Sequence, residues 1–142
     1  MDEQQFKYDN ILLIQCTSPI RAMGRFDDAI ANLESRQLDS LVPVSKANKF
    51  LWKNFETPTA NYNFLQRPRR QDILSSSESF FETGSFYLFK KTVFAEIKNR
   101  ICGTFGLYMT PEEESFDIDT MLDFKICESL LNSNKDWRNF AA

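Results

Sequence analysis

The chain has 142 residues, enough for one domain with its own core, and fourteen phenylalanines make that core aromatic-rich. A net charge of −3, with 17 basic and 20 acidic residues, gives no global basic footprint and argues against a nucleic-acid partner. The absence of histidine excludes every mechanism that needs an imidazole base or ligand, including Ser-His-Asp and Cys-His catalysis and most catalytic zinc sites. Cys16, Cys102 and Cys127 are odd in number and far apart, which argues against a disulfide framework and a zinc cluster and fits a reducing cytoplasm. With no signal peptide and no apolar run of membrane-spanning length, secretion and membrane insertion find no support.

"NILLIQ" (Asn10 to Gln15) is a continuous apolar run, the pattern of a strand buried on both faces of a parallel sheet. After a turn at "CTSPIR", Phe26, Ala29, Ile30 and Leu33 recur at helical spacing, with Asp27 and Asp28 suited to a helix N-terminus. "DSLVPVSK" is the next strand, and strand, helix, strand at this spacing is a right-handed βαβ unit. From Phe50 to Ser79 the pattern breaks into short aromatic pieces, "RPRRQD" and a serine-rich run, which predicts a β-arm or a long functional loop. "GSFYLFK" is a strand, "KTVFAEIKNR" a short helix and "FGLYMT" a strand. In the last helix Met121, Phe124, Cys127, Leu130 and Leu131 share a broad face with Leu122 and Ile126 beside it, which predicts that more than half of the helix is buried.

"ESFDIDT" (residues 114 to 120) places Asp117 and Asp119 two apart, so that in an extended chain both carboxylates project to one face. Like charges that close repel unless neutralised, and a hard divalent cation such as magnesium does this with one or two carboxylates plus substrate phosphates. The bland alternative is an N-cap role for Asp119. In "QCTSPIR", Gln15, Thr17 and Ser18 offer donors and acceptors for a polyhydroxylated ligand, against the reading of a plain Ser-Pro turn. "RPRR" gathers Arg67, Arg69 and Arg70 for an anion, or forms a solvated charge run. Tyr87 and Gly84 in "TGSFYLF" read first as core and tight bend. Because ligands of open α/β sheets bind outside the carboxyl ends of strands, "QCTSP" and "SFDID" fall on one rim.

Together "ILLIQCTSPIR", "RPRRQD", "ETGSFYLF" and "PEEESFDIDTMLDF" resemble the carboxyl-terminal part of the CMP-sialic acid synthetases, the acylneuraminate cytidylyltransferases and their relatives for legionaminic and pseudaminic acids. The resemblance runs from about Tyr8 to Leu131. It implies a Rossmann-like α/β nucleotidyltransferase fold, truncated at its amino terminus, with a mostly parallel sheet and a protruding β-arm at 50–79 that serves dimerisation, all within one partial domain, 1–142. It further implies CMP transfer from CTP to an acidic nine-carbon sugar with magnesium and release of pyrophosphate. On this resemblance Asp117 and Asp119 hold Mg2+. Gln15 and Thr17, beside Ser18, contact the sugar, Arg69 faces its carboxylate, Tyr87 lines the pocket and Lys53 is a further sugar contact.

The departures carry their own expectations. The family opens with a Gly-rich basic loop that cradles the CTP phosphates, and the four glycines here form none. Phe81 stands where an arginine is common, and Thr83 where asparagine is. The chain alone is therefore expected not to turn over CTP and to form a homodimer or larger assembly, with an amino-terminal partner subunit supplying the phosphate loop. The competing class is a non-catalytic remnant or split subunit that dimerises and at most binds a sugar acid. An Asp-x-Asp glycosyltransferase also needs its nucleotide-binding start, and an aspartyl-phosphate phosphatase fails on the register of Thr120.

Overall fold

The computed structural model describes residues 7–47, 49–69 and 79–133. The chain divides into two compact units, one running to Ser45 and resuming at Glu82, the other Lys46–Phe81.

In the first unit, β1 (Asn10–Ile14) leads through the QCTSP turn to α1 (Arg25–Ser35), which returns to β2 (Ser40–Lys46). The second unit carries the two-residue strands β3 (Trp52–Lys53) and β4 (Thr59–Ala60), paired as an antiparallel hairpin, and a 3-10 turn at Phe64–Gln66. Four aromatic rings cluster there: Tyr62 lies 4.5 Å from Phe50 and 5.9 Å from Trp52, and Phe64 lies 5.6 Å from Trp52, ring centre to ring centre. The expected arm at 50–79 falls within this unit except for 70–78, which lie outside the described residues. β5 (Phe80–Glu82), β6 (Phe86–Lys90), α2 (Lys91–Ile97), β7 (Phe105–Met109), a 3-10 turn at Glu112–Ser115 and α3 (Met121–Ser133) complete the chain.

The sheet is mixed rather than mostly parallel. β6 lies between β1 and β2 and is antiparallel to both, pairing Leu12 with Leu88 and Leu41 with Leu88, while β7 runs parallel to β2. β1, β2 and β7 therefore share a direction, and the βαβ crossover steps over the reversed strand β6. This insertion explains a second departure. The strand buried on both faces is β6, with Phe86, Tyr87, Leu88 and Phe89 all at most 3% exposed. β1 pairs only with β6 among the described strands and is half open, with Leu13 41% and Ile14 46% exposed.

α1 forms because its apolar stripe has a sheet to cover. Ala29 and Leu33 pack with Leu38, Leu41, Phe86, Leu88 and Tyr108, and Leu12, Phe26 and Ile30 flank them. Phe86 meets Phe26 and Tyr108 edge-on at 5.5 and 5.9 Å, geometry that adds about 0.5–1.5 kcal/mol per pair beyond burial. α3 is not more than half buried as its apolar content predicts: only Cys127 is buried, whereas Met121, Leu122 and Phe124 are 70%, 67% and 49% exposed. Its apolar residues surround the helix, and the first unit covers only a narrow stripe of them.

Candidate functional site

The carboxyl end of β1 continues into a tight, well-anchored turn. Gln15 N donates to Ser85 O at 3.2 Å, extending the β1–β6 ladder by one residue, and Ser18 N closes back on Gln15 O at 3.4 Å. Arg21 locks the turn from behind: its Nη2 donates to Ser85 O at 3.0 Å and Ser18 O at 3.4 Å, and its guanidinium lies 4.7 Å from the centre of the Phe26 ring.

Against this turn lies the acidic segment. Ile118 N donates to Thr17 O at 2.9 Å, and the buried Ser18 donates through Oγ to Asp117 Oδ1 at 3.2 Å. Segments a hundred residues apart in sequence thus meet at one place. Asp117 is half-buried and Asp119 exposed, in irregular chain between the 3-10 turn and α3 rather than directly at a strand's end. The cap of α3 belongs to Thr120. Its Oγ1 accepts from Asp123 N at 3.3 Å while Asp123 Oδ2 accepts from Thr120 N at 2.8 Å, a reciprocal capping box. The Thr120 hydroxyl, which donates to Asp123 Oδ2 at 2.7 Å, and after it the Thr120 N–H hold the Asp123 carboxyl below its ordinary value. The N-cap alternative for Asp119 therefore falls, and its carboxylate has no partner among the described residues.

What fixes the approach to the acidic segment is Glu114, whose side chain is 2% exposed. Its carboxylate accepts from Arg25 Nη2 at 2.5 Å, from Arg25 Nε at 2.9 Å and from Ala22 N at 3.3 Å. Arg25 also donates to Tyr108 OH at 3.2 Å, and Tyr108 donates to Asp28 at 2.5 Å. Bonding to Glu114 raises the Arg25 pKa, and burial raises that of Tyr108.

A second polar group borders Gln15. Gly84 has φ 71°, and a Cβ there would sit 2.9 Å from Gln15 Oε1 and 4.0 Å from Tyr87 OH, so bend and close approach coincide. Tyr87 itself is 2% exposed: its hydroxyl donates to Glu82, and the Arg100 guanidinium covers its ring at 4.1 Å from the centre. Burial, followed by the bond to Glu82, pushes the phenol up to about 12, so it stays protonated. The exposed chemistry at this position is that of Glu82 and Arg100 more than of the phenol. Thr83, by contrast, points inward, with N and Oγ1 on Pro43 O.

Lys53 and Arg69 belong to the other unit, Lys53 exposed in its hairpin opposite Thr59 and Arg69 exposed without a partner among the described residues. Arg67 stacks on Phe50 at 4.0 Å, and Arg70 lies outside the described residues. A cleft of about 410 Å³ opens at the amino end of α1, lined by Pro19, Arg21, Arg25 and Leu131 among others. Its two arginines are turned to Ser18, Ser85 and Glu114, so the rim of Gln15, Ser18 and Asp117 is the better candidate.

Compared with known proteins, the chain is 28% identical over 126 residues to N-acylneuraminate cytidylyltransferase B of Danio rerio, covering 84% of this chain and 29% of that protein. It is also 24% identical over 138 residues to the post-translational flagellin modification protein B of Campylobacter coli, covering 91% of this chain and 56% of that protein. The chain is thus similar in sequence to an acylneuraminate cytidylyltransferase and to a flagellin modification protein. No protein-family model matches it. It spans less than two thirds of the length of either relative.

No group of three or more Asp, Glu or Cys side chains gathers as a metal cage among the described residues. A hard cation such as magnesium is held by one or two protein carboxylates and takes its remaining ligands from substrate oxygens and water. Sequence reasoning missed Arg21, Glu82, Arg100 and Glu114. Only the arginine closing "TSPIR" carried a local signal, its place beside a turn. Glu114 is one of three successive glutamates, and nothing in "PEEES" separates the buried one from its exposed neighbours.

Proposed function

We propose that this chain forms the sugar-acid and metal side of a cytidylyl transfer from CTP to the anomeric hydroxyl of an acidic nine-carbon sugar. The observation that supports the reading is the docking of "FDID" on "QCTSP" through Ser18–Asp117 and Thr17–Ile118, on which a common ligand space for the acid pair and the polar turn is proposed. Gln15, Thr17 and Ser18 orient the sugar hydroxyls, and Asp117 and Asp119 hold magnesium. Magnesium, when bound, screens the triphosphate and stabilises the charge that develops as pyrophosphate leaves. In the transfer the sugar oxygen bonds to the α-phosphorus, the bond to pyrophosphate breaks and the hydroxyl proton is released. Lys53 and Arg69 are proposed as further sugar contacts, and Tyr87 as support beneath the pocket.

A second reading, sugar-acid binding without turnover, is favoured by one feature: none of the four glycines forms a basic phosphate-cradling loop. Without oriented triphosphate, on the order of 7–11 kcal/mol of catalytic advantage is forfeited. Pyrophosphate release with CTP, magnesium and several nonulosonic acids decides between them, run with the chain alone and with a polypeptide carrying such a loop. The transfer reading expects release that Asp119→Asn abolishes. Absence of release in both arms, with sugar binding intact, leaves only the binding role.

The protein is also proposed to self-associate. The Lys46–Phe81 unit exposes Leu51, Trp52, Phe55 and Leu65, with Leu65 83% accessible, more apolar surface than a small solvated hairpin tolerates. Light scattering expects a dimer or larger species that Phe55→Asp and Leu65→Asp together dissociate. A monomer at high concentration refutes it.

A further inference from the structure

Arg100 stands out among the cations of the first unit. Arg21 and Arg25 direct their guanidinium groups inward to carbonyls and Glu114, and Lys90 is paired with Asp39 at 3.1 Å. Arg100 is exposed, and its contact among the described residues is the face of the Tyr87 ring, so no protein acceptor there takes its N–H groups. A guanidinium carries five donors in a planar fork, and resting on an aromatic ring holds that fork in place while its edges stay available to a carboxylate.

The backbone around Arg100 is anchored on both sides. Lys98, left-handed at the end of α2, donates to Phe94 O at 2.8 Å, and Ile101 N donates to Asn99 Oδ1 at 3.1 Å. Cys102 is clamped to the buried Ser40, its N donating to Ser40 Oγ at 3.0 Å and its carbonyl accepting from Ser40 Oγ at 2.8 Å. The ring beneath Arg100 leads to the rim: Tyr87 OH is bonded to Glu82 and adjoins Gly84, which in turn touches Gln15.

Resting on the sugar-binding reading of this rim, we infer that Arg100 is the residue that recognises the carboxylate of the acidic sugar, with Glu82, bonded to the Tyr87 hydroxyl, accepting from a sugar hydroxyl. The opposed charges then set the ligand's direction. The anionic end turns to Arg100, because Glu82 repels it, and the hydroxylated end lies towards Glu82 and Gln15.

Calorimetric titration with N-acetylneuraminate and with its uncharged methyl ester tests this without any turnover. The parent is expected to prefer the acid by roughly 10–100-fold, the scale of a hydrogen-bonded charge pair. Arg100→Met, which keeps an apolar side chain on Tyr87, is expected to erase that preference while leaving ester affinity unchanged, and Arg100→Lys to restore part of it. Thermal melts equal to the parent's show that the fold is kept. If Arg100→Met retains the preference, or Arg69→Met removes it instead, the inference is overturned while the sugar-binding reading survives. If the parent binds neither compound, both are overturned.

Discussion

Replacing Arg25 by methionine isolates what holds the acidic segment in place. In the parent, Glu114 Oε2 receives Arg25 Nε, and Oε1 receives Arg25 Nη2 and Ala22 N. The substitution leaves one backbone donor for a carboxylate only 2% exposed. Stranding a buried charge costs about 3–5 kcal/mol, and because Arg25 is itself 17% exposed, some water can reach the gap. The expectation is the lower end, about 3 kcal/mol, or a fall in Tm of roughly 10 °C for a domain of this size. Glu114→Gln is milder, about 1–2 kcal/mol, since the amide still accepts from Ala22 and Arg25 keeps Tyr108. Urea unfolding followed by tryptophan fluorescence and far-ultraviolet dichroism gives both values, and the double variant gives the coupling. A loss under about 1 kcal/mol would refute the reasoning.

Gly84→Ala puts a side chain on a residue with φ 71° and its Cβ 2.9 Å from Gln15 Oε1, so stability should fall by about 1–2 kcal/mol and affinity for a sugar acid should fall with it; an unchanged affinity by calorimetry would remove Gln15 from the ligand contacts. Asp39 accepts from Thr104 N at 2.8 Å and from Lys90 at 3.1 Å, and these bonds, the backbone one foremost, hold its carboxyl below the ordinary value. A depressed carboxyl stabilises above its unfolded value and loses that contribution as pH falls through the folded one, so Asp39→Asn should lie furthest below the parent near neutrality and converge with it below about pH 4 in thermal melts. Gly103→Ala, with φ 58° and a Cβ 2.4 Å from Asp39 Oδ2, should break the same turn and abolish that pH dependence.

Local pattern made the strands and helices of the first unit legible. The apolar runs at "NILLI", "LVPV", "FYLF" and "FGLYM" are strands, and the spacing of Phe26, Ala29, Ile30 and Leu33 is a helix. Sheet order was not legible, because which strand lies beside which is decided by long-range pairing that periodicity does not encode. "NILLI" and "FYLF" look alike as sequences, yet one is a half-open edge and the other fully buried. For α3 the apolar content overstated burial for the same reason: an all-round apolar helix reports what it tolerates, not what covers it. At the site, the meeting of Ser18 with Asp117 agrees with two polar segments following strands that point one way. The Arg100–Tyr87 stack lacks any such signal, since its partners come from a turn and a central strand.

Charged residues show most plainly how far sequence reaches. "RPRR" drew attention because like charges lie close along the chain, but nearness in sequence does not say which cations remain free. Arg67 is stacked on Phe50, Arg21 and Arg25 are turned inward, and Lys90 is paired. An arginine already bonded to a buried carboxylate cannot bind a second anion without exposing the first, so a ligand's charge must be met by a guanidinium whose donors are unengaged. Among the described arginines of the first unit with inward bonds or ring contacts, Arg100 alone combines a fixed backbone, an aromatic rest and open N–H groups. Arg69 of the conspicuous cluster is exposed as well, so the acid-over-ester preference of the Arg100 and Arg69 variants is the property that separates the isolated arginine of "NRIC" from the cluster.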